Sequence, residues 1–156
     1  MLYELFDWLE RTSIGSAIRD STWLFPVIES GHLLGLSLLG GAILVVDLRL
    51  LGLGLTGRSV DYVRVQARPF LLAGLLAMLL TGVPLFLSEA VKCYFSEAFR
   101  VKMVALGMAL VFTFGVRNRW IAGVRSPGRI AAGALGATSI GLWLAVAAAG
   151  RWIGFS

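Results

Sequence analysis

The sequence predicts an all-α, polytopic membrane protein: a four-helix transmembrane bundle with an N-terminal amphipathic interfacial helix. Three observations predict it. The 156 residues are 58% hydrophobic and only 15% charged, against about 45–50% and about 25% in a soluble domain. Mean hydropathy is +0.83, more apolar side chain than a soluble domain of this size can hide, and too much for a disordered chain. Four apolar runs each reach the roughly 20 residues that cross a bilayer.

The elements follow in order along one membrane domain, 1–156. Residues 1–21 form the interfacial segment. Leu2, Leu5, Phe6 and Leu9 share one helical face, with Glu4, Asp7, Glu10 and Arg11 on the other side. This helix either lies in the membrane interface or packs on the bundle end. The start is acidic and too polar for a secretory signal. A second short helix is expected to follow, capped by Ser13 or Ser16. The spans are expected at about 23–46, 69–90, 95–116 and 130–150. Pro26 and Pro69 sit in the first turns of spans one and two, where a missing N–H costs little. Pro84 removes the bond to the Leu80 carbonyl, and Thr81 is placed to satisfy it.

Charge sets the orientation. Eight basic residues fall between spans one and two or three and four: Arg49, Arg58, Arg64, Arg68, Arg117, Arg119, Arg125 and Arg129. Six fall on the other side, with seven of the nine acids. The positive-inside rule puts the Arg loops in the cytoplasm and both termini on the outer side of a bacterial inner membrane. Trp23, Tyr94 and Trp152 then reach the outer interface. The net charge of +5 is spread singly between apolar runs. It reads as topology and not as a nucleic-acid face.

Small residues mark close helix packing. Gly31 and Gly35 share a face of span one; Gly133, Ala137 and Gly141 share a face of span four. These faces serve either internal packing or a homo-oligomer or membrane-complex partner.

Ionisable groups inside spans are functional candidates. Glu29 and His32 lie one turn apart near the outer end of span one. Glu89 ends span two, and Lys102 lies more than a turn into span three. Topology brings all four to one side. They define a candidate cofactor pocket in which Glu29 orients the His32 ring, His32 ligates a haem iron, and Lys102 pairs with a haem propionate or Glu89. A quinone would use the same groups. Cys93 is the one cysteine and His32 the one histidine. An internal disulfide and a bis-His haem within one chain are therefore excluded.

The run Ile28-Glu-Ser-Gly-His-Leu-Leu-Gly35, the stretch from Gly41 to Gly52, Arg68-Pro-Phe, Thr81-Gly-Val-Pro-Leu-Phe and Phe99-Arg-Val-Lys-Met103 together resemble a bacterial family of small four-helix membrane proteins of unknown function. The resemblance implies architecture and no activity. A more distant likeness reaches the haem-containing membrane protoporphyrinogen-oxidase family and the copper-resistance membrane family. It implies roles for His32 and Lys102. The chain departs from it by lacking the further histidines, and its methionines do not cluster as a copper site needs.

With no nucleophile–base pair in view, the expected function is that of a non-catalytic accessory, assembly or interaction subunit of a membrane complex. The alternative is a haem-b or quinone-linked redox protein with His32 as axial ligand.

Overall fold

The structure, a computed structural model, describes residues 2–123 and 128–154. These residues are helical throughout, joined by short turns. Helix α1 is Leu2–Glu10 and α2 is Ser13–Arg19. The four long segments are α3, Leu24–Leu51; α4, Val60–Ser88; a third span over Glu97–Gly123; and α8, Arg129–Ile153. The third span is α6 (Glu97–Leu110), a π-helical segment (Val111–Arg117) and α7 (Asn118–Gly123). Helix α5, Ala90–Phe95, links α4 to α6. All four long segments are apolar enough to cross a membrane. Backbone polar groups in hydrocarbon must be satisfied internally, which leaves helices as the way such a chain spans.

Every span except the last outruns its expected limits at the loop-side end. Helix α3 continues to Leu51, where Gly52 adopts φ 75° and closes the helix with its N–H on Arg49 and Leu48 carbonyls. Left-handed φ of this kind favours glycine. Helix α4 starts nine residues earlier than expected, capped by the Ser59 hydroxyl on the Tyr62 N–H at 3.1 Å. Pro69 is therefore interior, not in the first turn. Hydropathy fades before the helix does: residues 60–68 are too polar to look like a span, yet Asp61 in the first turn and its ion pair with Arg64 support helix. Arg49, Arg64, Arg68 and Arg119 are thus helical and not loop residues. Arg125 lies outside the described residues.

Helix α3 is the centre of the bundle. In its apolar window 39% of residues are buried, against 11, 17 and 22% in the other spans. Leu39, Ile43, Val46 and Leu50 pack with Val63, Ala67 and Leu71 of α4, Ile121 of α7 and Ala132 of α8. A second cluster joins Ala105 and Ala109 of α6 to Val146 of α8.

Glycine governs how close α3 comes to its neighbours. A Cβ on Gly74 would lie 2.6 Å from the Leu39 nitrogen, and one on Gly136 2.9 Å from the Asp47 carbonyl oxygen. Gly35 faces Ala77 in the same way, at 3.0 Å, and Gly31 faces Thr81. The Gly31/Gly35 face is therefore used inside the chain. The face of α8 that carries Gly133, Ala137 and Gly141 points away from the bundle: Ala137 is exposed, and a Cβ on either glycine would meet nothing within 4 Å. In α8 the close contact is made by Gly136 instead. Gly74→Ala is expected to lose about 1–3 kcal/mol of stability through overpacking against backbone. Gly141→Ala should lose none. Thermal midpoints of the two variants in one detergent check the contrast.

The N-terminal segment is bound to the bundle end. Thr12, and neither Ser13 nor Ser16, caps α2, accepting from Gly15 N at 3.3 Å. Tyr3 and Phe6 pack edge-on against Tyr94, at 5.8 and 5.3 Å between ring centroids. Glu10 holds Arg19 at 3.0 Å and accepts from the Val91 N–H at 2.6 Å, at the start of α5. Leu2, Leu5 and Trp8 stay exposed on the opposite side of α1. Helix α1 thus packs on the bundle and still presents an apolar face outward. Trp23 and Trp152 are exposed at this end, whereas Tyr94 is engaged in the aromatic cluster.

Candidate functional site

His32 lies on the half-buried side of α3 against α4, its ring beside Gly82. Its Nδ1 is 2.8 Å from the Thr81 hydroxyl oxygen. That hydroxyl donates its one proton to the Ala77 carbonyl at 2.6 Å. It can therefore only accept from the imidazole, which in the neutral ring places the proton on Nδ1 and leaves a lone pair on Nε2. Thr81 takes the orienting role expected of Glu29, and Glu29 itself is exposed. The geometry also corrects the expected role of Thr81: its hydroxyl serves Ala77 and not Leu80. A helical Thr reaches back four residues, and Ala77 is that residue.

Lys102 lies on α6. Its ammonium lies over α8, where a Cβ on Gly150 would be 3.7 Å from Nζ. Among the described residues no carboxylate pairs with it. Cys93 of α5 is buried nearby and feels the charges of both Glu89 and Lys102. Burial, reinforced by Glu89, pushes the Cys93 thiol up to about 11. The thiol therefore stays protonated well past neutrality. Maleimide labelling of the folded protein at pH 8 should be slower than that of the unfolded chain, because the thiolate is the nucleophile. Mass spectrometry of timed samples reads this out; equal rates would contradict it.

Of the four expected pocket residues, His32 is held against α4 by Thr81, and Lys102 lies over α8. Glu89 stands beside Cys93, on a separate cavity of about 320 Å³ shared with Glu10, Arg19, Phe25, Ser88 and Lys92.

Sequence reasoning missed a second polar site at the other end of the bundle. Arg117, counted among loop arginines, is 1% exposed, and Asp47 of α3 is 0% exposed. The guanidinium Nη1 donates to Asp47 Oδ1 at 2.6 Å and to the Ser139 hydroxyl of α8 at 3.2 Å. One turn away, Trp143 Nε1 donates to the Thr113 hydroxyl at 3.0 Å. The π-helical segment carries both Thr113 and Arg117 inward, and Ser139 and Trp143 answer them at the same spacing on α8. Three of the four spans are thereby joined by one polar layer. Asp47 Oδ2, Arg117 Nε and Asn118 Oδ1 are buried without a hydrogen-bond partner. The available sequence signal was the i, i+4 pairing of Thr113 with Arg117 and of Ser139 with Trp143. A wide helical turn of this kind is frequent at functional positions.

No group of three or more metal-ligating His, Cys, Asp or Glu side chains occurs among the described residues. What the site offers is one oriented imidazole nitrogen, one uncompensated ammonium and a buried ion pair at the far end.

Fold and site together define a multi-pass, all-helical membrane protein with its polar groups at two levels of the bundle. The chain belongs to a family of unknown function (DUF6644), whose model matches residues 5–156. No curated protein and no solved structure matches it. The comparisons lend no support to the distant likeness to the protoporphyrinogen-oxidase and copper-resistance families.

Proposed function

We propose that this chain is a non-catalytic membrane subunit that holds haem b at the His32–Lys102 end of the bundle. The observation that carries the reading is the bare Nε2 of His32, fixed by the Thr81 hydroxyl. A ligating histidine donates its other N–H to an acceptor that holds the ring in place, and Thr81 is that acceptor. Lys102 supplies the cation for a propionate. Bound there, haem b would supply one-electron exchange.

At His32 itself the tautomer favours a haem iron over a quinone carbonyl. A quinone carbonyl needs a hydrogen-bond donor, and Nε2 with a lone pair is an acceptor. The chain offers no second histidine, so any further imidazole would have to come from a second copy or a partner subunit. The outward α8 face of Gly133, Ala137 and Gly141 is the surface we assign to such a partner. We also place the chain in the inner membrane, with the His32 end and both termini on the outer side.

The test is the visible spectrum of protein purified from haem-sufficient cells. A Soret band that His32→Ala removes supports the reading. A wild-type protein without one, or a band indifferent to the substitution, overturns it.

A further inference from the structure

A cavity of about 340 Å³ opens between α4 and the end of the third span, where the buried Asp47–Arg117 pair sits. Arg64, Arg68, Arg117, Asn118 and Arg119 line it, and Leu71 and Phe114 supply apolar wall. Two of the four guanidinium groups are balanced: Arg64 by Asp61 and Arg117 by Asp47. Arg68 and Arg119 are exposed and have no carboxylate partner among the described residues. At the back, Arg117 keeps a buried Nε without a partner, and the neighbouring Asn118 has a buried Oδ1 without one. The site thus combines excess positive charge, a buried unused donor and a greasy wall.

We propose that this cavity binds the phosphate of an anionic phospholipid. Arg68 and Arg119 would hold the headgroup, and an acyl chain would lie along Leu71 and Phe114. Basic pockets between helices at a membrane surface suit anionic headgroups. Arginine is the side chain best shaped to grip phosphate oxygens. A free phosphate shares the headgroup chemistry but gains nothing from the apolar wall. The proposal is independent of any ligand at His32, which lies at the other end.

The experiment uses the full chain in mild detergent, offered phosphatidylglycerol and phosphatidylcholine at equal mole fraction. Retained lipid is measured by mass spectrometry. Wild type should enrich phosphatidylglycerol. Arg68→Gln/Arg119→Gln should lower that retention on the order of 30-fold, taking about a fivefold loss from each surface arginine. Arg11→Gln/Arg100→Gln, with the same charge removed at the opposite end, should leave it unchanged. Added salt should release the lipid from wild type, which tests the proposal even where the glutamine pair fails to fold. Equal retention of the two lipids, equal losses in the two double variants, or retention indifferent to salt overturns it. So does binding of inorganic phosphate alone without lipid enrichment.

Discussion

Asp47→Ala is expected to cost the protein a large share of its stability. The substitution leaves the Arg117 guanidinium 1% exposed, with its 2.6 Å carboxylate gone and only the Ser139 hydroxyl remaining. Removing one partner of a buried ion pair costs about 3–5 kcal/mol, since the other charge stays desolvated. That is a large share of a typical stability of about 5–15 kcal/mol. Ser139→Ala removes a neutral acceptor and should cost only about 1–3 kcal/mol. Asp47→Leu/Arg117→Met removes both charges at similar volume and should recover most of the loss, because a buried pair is seldom a net gain over apolar packing. Stability in detergent, read as a thermal midpoint or as the monodisperse fraction, ranks the variants. A double variant as unstable as Asp47→Ala would mean that the layer holds the spans by more than charge compensation.

Thr81→Val is expected to weaken haem retention by roughly 10–100-fold while leaving His32 in place, the usual size of effect when the group orienting a ligating histidine is lost. Valine keeps the volume but takes no proton from Nδ1, so the ring is free to turn and to change tautomer. Thr81→Ser keeps the hydroxyl and should retain most of the binding. Haem titration of the three proteins, followed by absorbance, separates the two substitutions. Equal affinities would remove Thr81 from the site.

Much of the fold is legible in the sequence because a span is a local property. Twenty apolar residues announce it whatever lies alongside, and all four runs are spans. Their limits are less legible. Residues 60–68 form two polar turns of α4 that hydropathy assigns to a loop, although Ser59 and Asp61 carry a helix-start signal. The α8 face shows a different limit. Spacing of four picks out Gly133, Ala137 and Gly141, yet spacing does not say which face turns inward, and the bundle uses Gly136.

The site divides in the same way. His32 and Lys102 stand out in the sequence because each is an ionisable group within an apolar run. Their partners depend on contacts between helices. Thr81 is 49 residues from His32 in sequence, and Arg117 is 70 from Asp47. A charge near a span end reads alike whether it reaches water or a buried partner. In Arg117 the choice is made by the π-helical turn, which shifts the helical register and leaves no clear mark in the periodicity.

The claim that underlies the functional reading is that His32 presents a bare Nε2. With one histidine in the chain, ¹⁵N-histidine labelling reports that ring alone. Nitrogen shifts of the purified protein in micelles at alkaline pH should show the Nδ1–H tautomer, with Nε2 carrying no proton, and Thr81→Val should abolish the preference. A ring protonated on Nε2 in the wild-type protein, or one that averages freely between tautomers, would contradict the account.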